Sequence, residues 1–127
     1  MPTESDVAYC AGLVDGEGHI GIKRTKAYRV QGRQTPGYHA RIGIKMVNED
    51  AIKFFTETMG GWYWTEKSSL ANGRPYFVYQ ATDEKAAGIL RCLLPYLRVK
   101  RAAAETVLQL RDLQATGKQH RTKITGY

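Results

Sequence analysis

Residues 9–22, YCAGLVDGEGHIGI, put two carboxylates, Asp15 and Glu17, at the seam between a helical and an extended pattern, each followed by a glycine. Carboxylates are hard oxygen ligands that suit Mg²⁺, whose coordination is completed by water and phosphate. A glycine inside a helix costs about 1 kcal/mol relative to alanine, so Gly12 needs a reason to be there. Ala8, Gly12 and Gly16 recur every four residues and share one helix face. Such small residues let another backbone come near, either the chain's own sheet or the same helix of a second copy. In the second case the contact is two-fold. The helix C-terminal ends, with their partial negative charge, then lie side by side, and the acids of two chains meet at an axis that a cation would have to neutralise.

The elements that must position these residues follow from pattern. Thr3 caps a first helix, with Asp6 as its capping-box partner, and the helix runs through about Asp15 to end at Gly16 and Gly18. From His19 the period changes to two, with Ile20 and Ile22 alternating with polar residues. Gly32, Pro36 and Gly37 interrupt the segment VQGRQTPGYH, which reads as loop. A second strand carries Ala40, Ile42, Ile44 and Met46 on one face and His39, Arg41, Gly43 and Lys45 on the other. Asn48 N-caps a second helix with Ile52, Phe55 and Met59 as its apolar stripe, ended by Gly60 and Gly61. WYWTEKSSL and RPYFVYQAT read as two more strands joined at Asn72-Gly73. A helix from about Asp83 to Leu94 stops at Pro95. A last helix spans about Arg98 to Ala115, with Val99, Ala103, Val107 and Leu110 on one side. The order is α-β-β-α-β-β-α-α, an α+β chain with an antiparallel sheet that packs helices on one face and leaves the other to solvent. One domain over residues 1–116 and a basic, polar, loose tail over 117–127 complete the organisation.

The 127 residues fit one domain, and a hydrophobic fraction of 43% is too high for general disorder. The absence of a long apolar run argues against a membrane span or signal peptide and for an intracellular protein. Cys10 and Cys92 lack metal-ligand spacing and read as small buried hydrophobes. The formal charge of +7 and pI near 9.5 point to a polyanionic partner, nucleic acid before membrane. On the solvated sheet face the alternation places Lys23, Thr25, His39, Arg41, Lys45, Tyr63, Thr65, Lys67, Arg74, Tyr76, Val78 and Gln80. Arg and Lys suit guanine and phosphate, Gln suits adenine, and Thr or Val can touch the thymine methyl. No Asp or Glu falls among these positions, whereas an ordinary solvated sheet face usually mixes both signs.

AGLVDGEG, preceded by Cys10, resembles the LAGLIDADG motif of a family of homing endonucleases. Ala11, Gly12, Leu13, Asp15 and Gly18 are identical to it, Val14 and Gly16 are mild replacements, and Cys10 replaces a leucine. The helix before the motif, the strand after it and the segment PYLRVKRAAAETVLQL extend the resemblance over roughly residues 5–115. It implies an αββαββα fold with a four-stranded DNA-binding saddle. One motif implies a homodimer joined through Ala8, Gly12 and Gly16. The implied activity is hydrolysis of both strands of a long, pseudo-palindromic site in double-stranded DNA, as in intron-encoded members. It would use Mg²⁺, with Mn²⁺ or Ca²⁺ as substitutes. Glu17 takes the place of the metal-holding acid, usually Asp, and the carbonyl of Gly16 adds a ligand, while Asp15 holds the helix end. Lys100 matches a lysine near the active site of the family, and Asn48 matches a polar catalytic position that is commonly Gln. A non-cleaving DNA- or intron-RNA-binding protein on the same fold, a maturase or transcriptional regulator, is the alternative.

Overall fold

A computed structural model describes residues 2–25, 28–30, 33–35 and 37–124. The elements are α1 (Glu4–Glu17), β1 (Gly18–Arg24), β2 (Tyr28–Val30), β3 (Arg33–Thr35), β4 (Tyr38–Met46), α2 (Glu49–Met59), β5 (Tyr63–Glu66), β6 (Tyr76–Thr82), α3 (Asp83–Leu93), a single 3₁₀ turn (Leu94–Tyr96) and α4 (Arg101–Ile124). The main sheet is antiparallel, in the order β1-β4-β6-β5. The chain is therefore α+β, with helices on one sheet face.

Local chemistry accounts for most element ends. The Thr3 hydroxyl accepts the Asp6 N–H while the Asp6 carboxylate accepts the Thr3 N–H, a reciprocal capping box. Asn48 caps α2 by accepting the Ala51 N–H at 3.1 Å. Gly60 ends α2 at φ +84°, where a side chain would be strained, and the Tyr79 hydroxyl donates to its carbonyl. The core lies between sheet and helices: Ile42, Ile44 and Tyr79 from the strands meet Val14, Ile52, Phe55, Leu90, Leu93 and Val107. Full burial of side chains of this size contributes roughly 1.5–3 kcal/mol each. Phe55 and Tyr79 meet edge to face at 4.9 Å.

The structure departs from the sequence reading at several places. Helix α1 continues through Glu17 and passes into β1 without a loop. β2, leading into the segment read as loop, pairs with β3 inside it as a small separate ribbon; Gly32 and Pro36 lie outside the described residues. Residues 67–75 form an irregular connection between β5 and β6 in place of a tight turn at Asn72-Gly73, closed by a Gly73 N–H to Leu70 carbonyl bond. Helix α4 starts at Arg101, leaving Val99 77% exposed in the bend before it. Its backbone continues to Ile124, beyond Ala115 and through Gly117. Cys10 is buried, but Cys92 is exposed. Among the described residues no helix is long and apolar enough to cross a membrane.

Candidate metal and nucleic-acid interface

The seam between α1 and β1 is fixed by close approach. A Cβ on Gly18 would lie 2.9 Å from the Val14 Cα and carbonyl oxygen and 3.1 Å from the Gly43 carbonyl oxygen. The missing side chain lets strand follow helix directly. Asp15 ties this seam to the bend before α4. Its carboxylate accepts the backbone N–H groups of Arg98 at 2.8 Å and Lys100 at 3.0 Å, and its carbonyl accepts the Lys100 ammonium at 2.7 Å. Burial would raise the Asp15 pKa, but the backbone N–H groups of Lys100, Arg98 and Val99 and the charge of Lys100 outweigh it, and the net shift is downward.

Glu17 differs. It is exposed at the helix terminus, and its carboxylate has no hydrogen-bond partner among the described residues. Of the last carbonyls of α1, that of Val14 accepts the Gly18 N–H and that of Asp15 accepts Lys100. The Gly16 carbonyl makes no tertiary hydrogen bond among the described residues. Glu17 carboxylate and Gly16 carbonyl are hard oxygen donors and fit Mg²⁺ in kind. They fit it only in part by number, because among the described residues no three His, Cys, Asp or Glu side chains gather around one point. Such a donor pair suits an ion that takes its remaining ligands from water, phosphate or a second chain.

The other face of α1 is open. Gly12 and Gly16 are exposed, Ala8 is half-buried, and a Cβ on either glycine would meet nothing within 4 Å. Packing on the chain's own sheet therefore does not account for Gly12. Asn48 lies beyond the end of β4, where its amide oxygen is committed to capping α2.

Strand register fixes which side chains share the solvated sheet face. Gly43 pairs with His19 and Gln80, Arg41 with Gly21 and Thr82, and Lys45 with Val78. This face therefore carries His19, Lys23, Arg41, Lys45, Tyr76, Val78, Gln80 and Thr82. The His19 ring lies against Gly43, where a Cβ would come within 2.5 Å of it. Burial, then the charges of Arg41 and Lys100, pull the His19 pKa below its ordinary value. The Arg41 Nε is buried without a partner among the described residues.

Several residues assigned to this face from the sequence sit elsewhere. Tyr63 pairs with Tyr79 and Thr65 with Phe77, so both belong to the helix side, and the Tyr63 hydroxyl donates to Glu49 of α2 at 2.8 Å. Trp64 and Glu66 take their places opposite Val78 and Tyr76. Glu66 overturns the expectation of a face without carboxylates: it binds Lys45 at 3.0 Å, and its hydrogen bonds from Lys45 and then Trp64 lower its pKa. Lys45 also lies 4.9 Å from the centre of the Tyr76 ring. The Thr25 hydroxyl exchanges hydrogen bonds with the Gly37 backbone at the sheet's end; His39 stays on the solvated face by register, opposite Lys23, and is held there by Asp83 at 3.0 Å. Lys67 and Arg74 are exposed in the 67–75 connection, Arg74 beside the N-terminus of α2 in a cleft with Asn48, Glu49 and Asp50. Trp64 and Glu66 escape a sequence reading because YWTE has aromatic residues on both faces; only pairing with β6 reveals its phase.

Solved structures with this architecture are homing endonucleases. The chain superposes on I-CvuI in complex with DNA with a TM-score of 0.68 at 21% identity, covering 86% of this chain and 67% of that one. It superposes on the archaeal intron-encoded I-Vdi141I complexed with DNA with a TM-score of 0.69 at 18% identity, covering 90% and 71%. Against the LAGLIDADG homing endonuclease I-GzeII in complex with its DNA target the TM-score is 0.64 at 14% identity, covering 87% of this chain but 36% of that one. No protein-family model and no curated protein matches the sequence.

Proposed function

We propose that this chain, which has the fold of the LAGLIDADG homing endonucleases and one copy of their motif, is a homodimeric, divalent-metal-dependent endonuclease that cuts both strands of a specific DNA site. The carrying observation is the seam: Glu17, exposed and without a hydrogen-bond partner among the described residues, two positions after the Asp15 carbonyl that holds Lys100, at the end of a helix with an open small-residue face that leads into a sheet whose solvated face bears Lys23, Arg41 and Lys45. Two chains joined at Ala8, Gly12 and Gly16 bring two such seams to one axis, where each serves one strand.

Glu17 and the Gly16 carbonyl would hold the cation, which when bound would supply Lewis acidity and charge stabilisation for phosphodiester hydrolysis. Lys100, held by the Asp15 carbonyl, presents its positive charge where the phosphate becomes more negative. Asn48 keeps its amide NH₂ to orient water while its amide oxygen caps α2. Arg41 and Lys23, on one sheet face, hold the backbone in register. Chain symmetry makes the site pseudo-palindromic.

The test is selection of cleaved sites from a randomised DNA library with purified protein and Mg²⁺, followed by Glu17→Gln. The variant should bind the selected site like the wild type yet cut it at least roughly 100-fold more slowly. Cleavage at the wild-type rate removes Glu17 from the metal site. Glutamate in place of the family's usual aspartate favours a second reading, a non-cleaving DNA- or intron-RNA-binding protein; sequence-specific binding without Mg²⁺-dependent nicking would establish it.

A further inference from the structure

Between the edge strand β5 and the start of α3 lies a cleft of about 400 Å³ that the cleavage chemistry does not use, lined by Gly61, Trp62, Trp64, Gln80, Thr82 and Lys85. Trp62 is 74% exposed and Trp64 is 37% exposed. Two indoles in the open, Trp62 immediately before β5 and Trp64 within it, are costly to leave in water. They are also held in place. The Lys85 ammonium sits 5.7 Å from the centre of the Trp62 ring, and the Trp64 indole N–H donates to Glu66 at 3.3 Å.

The polar groups around the indoles are of one kind. The Thr82 side chain makes no capping bond at the N-terminus of α3, so the first amides of that helix stay open beside Lys85. The two acids of the first turn point away, Asp83 to His39 and Glu84 to Arg91 and Arg111. Among the described residues, what remains around the cleft is a pair of flat apolar rings, the Lys85 ammonium with no carboxylate partner, open helix amides, and the amide of Gln80 on the floor. Rings take a base face, the amide and hydroxyl take a base edge, and cation and helix N-terminus take a phosphate. A base inside a duplex has no free face to offer, whereas one that has left the stack has both faces and its pairing edge.

We propose that this cleft binds one unpaired nucleotide of a DNA strand at the outer edge of the sheet, with its base on Trp62 and its phosphate on Lys85. The proposal rests on the reading of the solvated face as a DNA surface. It adds a contact that distinguishes opened or single-stranded DNA from closed duplex at the flank of the site.

The experiment titrates full-length protein with oligothymidylate and, separately, with a blunt-ended duplex of mixed sequence, following tryptophan fluorescence. Oligothymidylate should quench the emission. Trp62→Ala should weaken its binding by roughly fivefold or more, and Lys85→Ala should weaken it and reduce the salt slope by about one. Both variants should hold the duplex within about twofold of wild type. Trp62→Phe, which keeps a stacking ring, should recover most of the oligothymidylate affinity. The proposal falls if Trp62→Ala binds oligothymidylate like the wild type, or if it loses duplex and oligothymidylate affinity equally, which would make the cleft an ordinary duplex contact. Failure of the endonuclease reading would show in the wild type, as absence of duplex binding and Mg²⁺-dependent cutting, whatever the variants do with oligothymidylate.

Discussion

The two hairpins of the sheet are built on different terms. In β1–β4 the register runs from Gly18 opposite Ile44 to Arg24 opposite Tyr38; Ala40, Ile42 and Ile44 are sealed inside, while His19, Lys23 and Arg41 face out with no strand-borne carboxylate among them. In β5–β6 the register is four pairs long. Its outward side carries Trp64, Glu66, Tyr76, Val78 and Gln80, and Glu66 cancels the charge of Lys45. Uncompensated positive charge is thus gathered beside the motif, whereas the outer half offers rings and amides. Electrostatic hold and shape-sensitive contact are divided between the two hairpins.

This division can be challenged by substitution. The largest effect is expected at the root of the inner hairpin. Asp15→Asn weakens two backbone hydrogen bonds to a charged acceptor and should cost about 2 kcal/mol in urea unfolding at neutral pH. Because the Asp15 pKa is lowered by folding, its contribution is present above the ordinary carboxylate pKa of about 3.9 and is lost as the pH falls through the lower folded value. The variant should therefore lose less stability than the wild type on acidification, and equal slopes would contradict the anchor. Next, Arg41→Ala should weaken duplex binding about tenfold and reduce the salt slope by about one. Lys45→Ala, whose charge Glu66 already offsets, should cost no more than about threefold; an equal loss from the two would erase the distinction between hairpins. Glu66→Gln should tighten duplex binding about two- to threefold at low salt, a gain that fades at about 1 M salt as screening shortens to a few ångströms. Smallest of all, Tyr63→Phe should leave duplex affinity within about twofold, since its hydroxyl faces α2; a larger loss would return Tyr63 to the DNA side.

What could be read from the sequence was what is decided locally. The Thr3–Asp6 box, the Asn48 cap, the Gly60 stop and the alternation through residues 39–46 each depend on neighbours within a few positions. The phase of YWTE does not; it is set by Tyr63 meeting Tyr79 across a nine-residue connection numbered 67–75. Val99 matched the apolar spacing of the last helix, yet Asp15, more than eighty residues away in sequence, holds the bend that excludes it. Glu66 and Trp64 reached the solvated face for the same non-local reason. Around the motif, Asp15 and Glu17 were distinguishable by position in the chain, but that one is committed to backbone amides and the other is free depends on where Arg98 and Lys100 fold back.

The direct passage from α1 to β1 at Gly18 has a mechanical meaning. With no intervening residue to absorb rotation, helix and strand move as one lever. In the proposed dimer, the angle at which the two Gly12–Gly16 faces cross would be copied into the tilt between the two sheets. The stagger between the two nicks, and with it the length of the overhang left on the DNA, would then be governed by how closely two helices pack, and could be retuned there without touching any residue that faces the DNA.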